Sequence, residues 1–290
     1  MTHTTLIDTD TLASLLVDPQ TVVVDCRFDL ANTAAGQAAY AQAHIPGAVY
    51  AHLDRDLSGP KTGANGRHPL PAPEALVRTL GQLGIGPGTQ VVAYDQDSGM
   101  YASRLWWLLR WMGHERVAVL DGGYARWLAE QRPAAGGMET RQPRTFVGQP
   151  HAEHLVSTTE VPSVAASSQA RLLDARAPER YRGEVEPLDP VAGHIPGAVN
   201  HFYQRNLVSG RFRSAAELRD EFRASMGEVA GDQVVCYCGS GVTACHNLLA
   251  LEHAGLTGAR LYPGSWSEWV ADPARPIELG PGAATDARPA

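Results

Sequence analysis

Of the four cysteines in the 290-residue chain (Cys26, Cys236, Cys238 and Cys245), three fall within ten residues. Cys238 opens the run Cys238-Gly239-Ser240-Gly241-Val242-Thr243, which lies between a β-branched segment ending at Tyr237 and a helical pattern starting near Ala244. Gly239 and Gly241 let successive backbone N–H groups of so short a turn face one centre. The helix start adds its unpaired N–H groups and the positive end of its dipole. A thiol at the mouth of that turn is expected to be stabilised as thiolate, a nucleophile that needs no adjacent general base. The turn would also hold an anionic group attached to the sulfur. Cys236, Cys238, Cys245 and His246 could be read as metal ligands, but no second pair stands at zinc-ribbon spacing, so no metal is expected. Cys236 and Cys245 read as packing residues. Thiolate chemistry needs no cofactor, and no cofactor motif is present. Lys61 is the only lysine and sits in a Gly/Pro-rich loop, which argues against Schiff-base chemistry.

The elements that must position Cys238 are written twice in the chain. Val22–Arg27 recurs as Arg171–Arg176, and the His44-Ile45-Pro46-Gly47-Ala48-Val49 block as His194–Val199. Val91–Asp95 recurs as Val234–Cys238, and Gly122–Trp127 as Gly264–Trp269. Four blocks in one order indicate a duplicated domain. The expected division is a first domain over 1–132, a linker over 133–153 without sustained apolar period, and a second domain over 154–290. The Pro/Gly/Ala-rich tail after about residue 273 is expected to be mobile. In the first half, strands are expected over 22–26, 90–94 and 116–120, with helices over 73–83, 99–112 and 122–130. In the second half, strands are expected over 171–175, 233–237 and 259–262, with helices over 215–224, 244–253 and 265–270. Strands alternating with helices imply an α/β fold, each half a mainly parallel sheet flanked by helices. Ligands of such sheets bind beyond the carboxyl ends of the strands, which points to the turns directly after Tyr94 and Tyr237. The first copy carries Asp95 where the second carries Cys238, so only the second half is expected to be active. Trp106, Trp107 and Trp111 at helical spacing read as core.

Taken together, the cysteine loop, the doubled His-Ile-Pro-Gly-Ala block and the closing Gly-Ser-Trp-Ser-Glu-Trp resemble the tandem-domain rhodanese family and, within it, the mercaptopyruvate-using sulfurtransferases. The resemblance covers about Leu12 to Trp269. It implies that Cys238 takes a sulfur atom from 3-mercaptopyruvate or thiosulfate as a persulfide and passes it to cyanide or a thiol acceptor such as thioredoxin. Gly239, Gly241, Val242 and Thr243 would cradle the outer sulfur. Thiosulfate-preferring members typically carry Arg and Lys directly after the cysteine. Gly239 and Ser240 stand in those places here, a neutral pair that suits a carbonyl-bearing donor better than a dianion. The resemblance also implies a relay of Ser240 with an aspartate and a histidine from the first domain, which fall on Asp54 and His68. The family's first substrate arginine falls on Arg180, a natural clamp for a carboxylate. Its second falls on Asp189, a departure that resembles thiosulfate-type members; Arg205 or Arg182 could replace the missing charge, although each reads first as a plain surface arginine.

Two other classes stand beside this reading. A phosphatase with this type of loop needs an arginine about six residues after the cysteine, and that place is Ala244. A persulfide carrier or binding module without turnover remains as the non-enzymatic alternative. With 24 basic against 31 acidic residues and a net charge of −7, the chain lacks the basic excess of a nucleic-acid binder. No apolar run approaches the roughly 18 residues of a membrane span. The first twenty residues have no basic segment of the signal or transit type, and the sparse cysteines are not a disulfide framework, so a reducing cytoplasmic setting is expected.

Overall fold

The computed structural model describes residues 2–282, and the chain divides into two compact units. The first takes the chain up to Gly59, then Leu70–His151 and Ser209–Phe212. The second takes Pro60–Pro69, Ala152–Val208 and the described chain from Arg213 onward. The segment Pro60–Pro69, assigned by the sequence to the first domain, therefore packs with the second unit, and His68 goes with it. The expected linker is tied to the first unit as far as His151: Ala135 and His44 exchange backbone hydrogen bonds of 2.9 and 2.8 Å, and the Arg144 N–H donates to Gly81 O at 2.9 Å. In the expected mobile tail, Glu278 exchanges backbone hydrogen bonds of 2.9 Å with His194, and the Gly280 N–H donates to Arg182 O at 2.9 Å. Residues 283–290 of that tail lie outside the described residues.

Each unit is built on an all-parallel sheet. In the first the strands run, edge to edge, Leu6–Ile7, Val117–Leu120, Gln90–Tyr94, Thr21–Asp25 and Val49–Tyr50. In the second they run Arg260–Leu261, Val234–Tyr237, Arg171–Asp174 and Val199–Asn200, the same order without the outer strand. A single parallel bridge from Leu155 to Leu261 stands in the outer strand's place. The central strands Val91–Tyr94 and Val234–Tyr237 are buried throughout, which explains why they read as unbroken apolar runs rather than alternating ones. Helices Pro73–Gln82, Ala102–Trp111, Ala215–Met226 and Thr243–His253 lie close to their expected spans, the third started by a Ser214–Glu217 capping box. Trp106, Trp107 and Trp111 are at most 4% exposed.

The doubled sequence blocks are a buried stitch shared by both copies. Asp25 pairs with Arg27 and Asp174 with Arg176, each at 2.6 Å and each almost wholly buried. The guanidinium then donates onward at 2.7 Å, Arg27 to Ala43 O and Arg176 to Gly193 O. Each also lies over an aromatic ring, Arg27 over Tyr124 at 4.4 Å and Arg176 over Trp266 at 4.7 Å. The Ile-Pro-Gly-Ala segments are tight turns closed by Ala48 N–H to Ile45 O at 2.9 Å and Ala198 N–H to Ile195 O at 3.0 Å. Pro stands at the second place and glycine with positive φ at the third (+73° and +80°), as a type II turn requires. The preceding histidines are buried, each with Nδ1 on a tyrosine carbonyl: His44 on Tyr40 at 2.8 Å and His194 on Tyr181 at 2.7 Å. The repeated Asp-x-Arg and His-Ile-Pro-Gly-Ala pieces therefore hold each copy together.

One buried group makes the second unit acid-sensitive. His201 bonds Ser225 at 2.8 Å and Asn206 at 3.0 Å and stacks on Phe222. Burial pushes its pKa down from 6.5 to about 3. Between those values the unfolded chain binds a proton that the fold refuses. The stability it supplies is therefore complete above pH 6.5 and lost as the pH falls, by up to about 1.4 kcal/mol per pH unit. Denaturant midpoints at pH 6 and pH 4 are expected to differ by less in His201→Gln than in the unsubstituted chain, and an equal difference would contradict this origin.

Candidate active site

The strand Val234–Tyr237 delivers Cys238 to the carboxyl edge of the second sheet, and the helix Thr243–His253 leaves from there. The connecting loop is pinned on several sides. The Cys238 N–H donates to Ser265 Oγ at 3.1 Å, and that hydroxyl donates to Tyr262 O at 3.0 Å. The Trp266 N–H donates to Cys238 O at 2.9 Å and the Ser267 N–H to Gly239 O at 3.0 Å. From the helix side the Cys245 thiol donates to Gly241 O at 3.3 Å. The thiol of Cys238 receives the Gly241 N–H at 3.2 Å, and the residue is 2% exposed. The 11-residue helix Thr243–His253 starts just beyond that contact. Cys236, two residues earlier on the strand, is wholly buried, and burial raises its thiol far above the ordinary range. It stays a thiol, whereas the sulfur of Cys238 is reached by the Gly241 N–H.

Gly241 has φ +77°, and a Cβ there would stand 2.4 Å from Pro263 O. Gly241→Ala must therefore move the loop and withdraw its N–H from the sulfur. It is expected to lower turnover by about ten- to a hundredfold, on the scale of a lost charge-stabilising donor. Full activity in that variant would show that this N–H does not matter.

Ser240 and His68 meet: the serine hydroxyl lies 2.7 Å from His68 Nδ1, and both residues are buried, at 7% and 3% exposure. Sequence separation of 172 residues hides this pair. Asp54, the third expected member, belongs to the first unit. It lies in the first turn of the short helix Leu53–Asp56, where its N–H donates to the capping His52 at 3.2 Å. Its part in a relay rests on the family resemblance alone. Val242 and Thr243 form the loop-to-helix step, Val242 buried and Thr243 the first helical residue.

The expected carboxylate clamp differs from the sequence expectation at one arm. Arg180 stands at the loop, held by Glu186 at 2.7 and 3.2 Å and by Asp189 at 3.3 Å. Asp189 also accepts from Arg67, a residue that sequence reasoning misses. Burial raises the pKa of Asp189, while its arginine partners oppose the rise. Arg205 and Arg182, the expected replacement cations, are occupied elsewhere, by Glu221 at 2.8 Å and Glu184 at 2.7 Å. Arg67 stands beside the cysteine loop together with Arg180: a Cβ on Gly239 would lie 2.7 Å from Arg67 Nη2 and 3.5 Å from both Nη atoms of Arg180. Arg67 adjoins His68, and the missing arginine at position 189 calls for a cation, so a signal exists. No local pattern links residues 122 apart.

The first unit shows the same loop filled by its own side chain. Asp95 replaces the cysteine, and its carboxylate accepts N–H groups of Gly99 at 2.9 Å, Tyr101 at 2.7 Å and Ala102 at 3.1 Å. The loop's outer bonds are retained, with the Tyr124 N–H on Asp95 O and the Ala125 N–H on Gln96 O. An anion-holding turn thus survives in both copies, but only the second pairs it with a thiol. Among the described residues, no helix is long and apolar enough to cross a membrane.

Comparison with known proteins places this geometry among relatives. A family model described as a rhodanese-like domain matches residues 8–130 and again 157–272. A probable 3-mercaptopyruvate sulfurtransferase of Pseudomonas aeruginosa is 46% identical over 97% of this chain and the whole of that protein. A putative thiosulfate sulfurtransferase of Mycobacterium tuberculosis is 40% identical over 89% of this chain and 90% of that one. Among solved structures, a 3-mercaptopyruvate sulfurtransferase from Leishmania major superposes with a TM-score of 0.81 at 30% identity, over 92% of this chain and 74% of that one.

Proposed function

The chain belongs to the rhodanese family as a tandem of two rhodanese-like domains, and from that premise we propose that it is a sulfurtransferase moving sulfur from 3-mercaptopyruvate through a persulfide on Cys238. The observation that carries this reading is the seat of Cys238. Its thiol receives the Gly241 N–H, with the Ser240–His68 pair and two guanidiniums gathered around the same loop. The Cys238 thiolate attacks the donor sulfur, an S–S bond forms and the donor C–S bond breaks. Its electron pair passes to C3 and the keto oxygen as the pyruvate enolate. The donor's thiol proton ends on C3, giving pyruvate and a deprotonated persulfide. Ser240, backed by His68, is placed to hold the keto oxygen and move that proton. The Gly241 N–H and its neighbours in the turn hold the charge on the outer sulfur. An acceptor thiolate then attacks that sulfur and leaves as its own persulfide, returning Cys238 as thiolate; cyanide leaves as thiocyanate. A cytoplasmic dithiol of the thioredoxin kind fits the acceptor role, and four free, buried cysteines fit a reducing compartment.

Thiosulfate is the second donor to weigh, since the 40% relative bears that name and Asp189 departs from the mercaptopyruvate pattern. The deciding experiment is kcat/KM for both donors on one preparation with cyanide as acceptor. A preference for 3-mercaptopyruvate of about tenfold or more is expected, the discrimination available from one charge-assisted contact. A ratio favouring thiosulfate would overturn the donor assignment, and a single sulfur uptake without turnover would make the protein a carrier.

A further inference from the structure

We infer that Arg67 is the second arm of the donor seat, a specificity-determining residue that takes over from the arginine replaced by Asp189. The inference rests on the sulfurtransferase reading above. Arg67 and Arg180 approach Gly239 from different segments of the second unit and converge beside the backbone that directly follows Cys238. A Cβ there would meet Arg67 Nη2 at 2.7 Å, so the guanidinium lies directly against this backbone. The backbone under Arg67 is fixed as well. Its N–H donates to Ser267 Oγ at 3.0 Å, and Gly66 adopts φ +83° so close to Gly264 that a Cβ would stand 2.8 Å from the carbonyl oxygen.

Asp189, its side chain only 3% exposed, is shared by the two guanidiniums, while Glu186, 4% exposed, holds Arg180 through Nε and Nη2. Two carboxylates thus aim and neutralise two forks, each of which has five N–H donors and spends only some of them on its anchor. The Arg67 side chain keeps 26% of its surface open. A seat of that kind offers directed N–H groups with no net charge. It matches a planar, singly charged carboxylate attached to the donor's keto carbon, and gives a compact dianion no excess of positive charge. Asp189 acts through the arginines and is a positioning residue, whereas Arg67 touches the donor.

The test is steady-state kinetics with 3-mercaptopyruvate on Arg67→Gln, Arg67→Lys and Asp189→Asn, each checked for an unshifted thermal melt. A contact made equally in ground and transition states appears in KM. Arg67→Gln is therefore expected to raise KM by about tenfold or more with kcat within about threefold, and Arg67→Lys, which keeps charge but not the fork, to fall between. Asp189→Asn breaks the same ion pair but leaves the cation, so its KM rises less. A merely structural ion pair would make Arg67→Gln and Asp189→Asn equivalent. That equivalence, an unchanged KM, or a loss confined to kcat would overturn the inference. Absence of Cys238-dependent pyruvate release in the unsubstituted chain would instead remove the reading beneath it.

Discussion

Cys238→Ser is expected to lower sulfur transfer from 3-mercaptopyruvate by at least about a thousandfold, the scale on which loss of a nucleophile acts. A serine hydroxyl stays protonated near neutral pH and is a poor nucleophile without a base beside it, and it forms no persulfide. The fold should be nearly indifferent to the change. The oxygen can still accept the Gly241 N–H that now reaches sulfur at 3.2 Å, and the backbone bonds of Cys238 to Ser265 and Trp266 remain. Pyruvate release with cyanide as acceptor, beside a thermal melt, separates the two effects. Turnover retained in the variant would place the chemistry elsewhere.

The second large effect lies in the stitch beneath the site. Asp174→Ala leaves the Arg176 guanidinium, 1% exposed, without the carboxylate that accepts from it at 2.6, 3.0 and 3.1 Å. Removing one partner of a buried ion pair costs about 3–5 kcal/mol, because the remaining charge stays desolvated. Activity should fall with stability here, since Arg176 also reaches Glu186 at 3.4 Å and Glu186 holds Arg180. Asp25→Ala removes the same pair from the first unit and gives an internal comparison. Denaturant unfolding of both variants checks this, and a loss under about 1 kcal/mol in either would show that the pair is not a keystone of its sheet.

The repeat makes much of this architecture legible. The strands Thr21–Asp25 and Val234–Tyr237 are buried throughout and so carry unbroken apolar stretches, Val22–Val24 in the first and the whole strand in the second. The Asp-x-Arg and Ile-Pro-Gly-Ala blocks recur because each copy needs the same buried pair and the same type II turn. Cys238 is legible from its glycines and its place between strand and helix. Weakly patterned elements are not. The helix Ala35–Gln42 buries only Gly36 and Tyr40, so it shows no apolar stripe, and the two-residue strands Val49–Tyr50 and Val199–Asn200 are too short for a period. Arg67 is hidden for another reason. Its value depends on which unit the Gly/Pro-rich segment 60–69 packs with, and a loop sequence carries no signal of its long-range partner. The absent arginine at position 189 reads as a charge to be replaced, and the cation the structure sets on Asp189 comes from 122 residues away.

The most direct test of sulfur transfer through Cys238 is the mass of the protein after brief incubation with 3-mercaptopyruvate in the absence of any acceptor. A gain of one sulfur atom per chain is expected, located on the peptide containing Cys238, and lost as thiocyanate when cyanide is added. No gain, or a gain on Cys26, Cys236 or Cys245 instead, would contradict it.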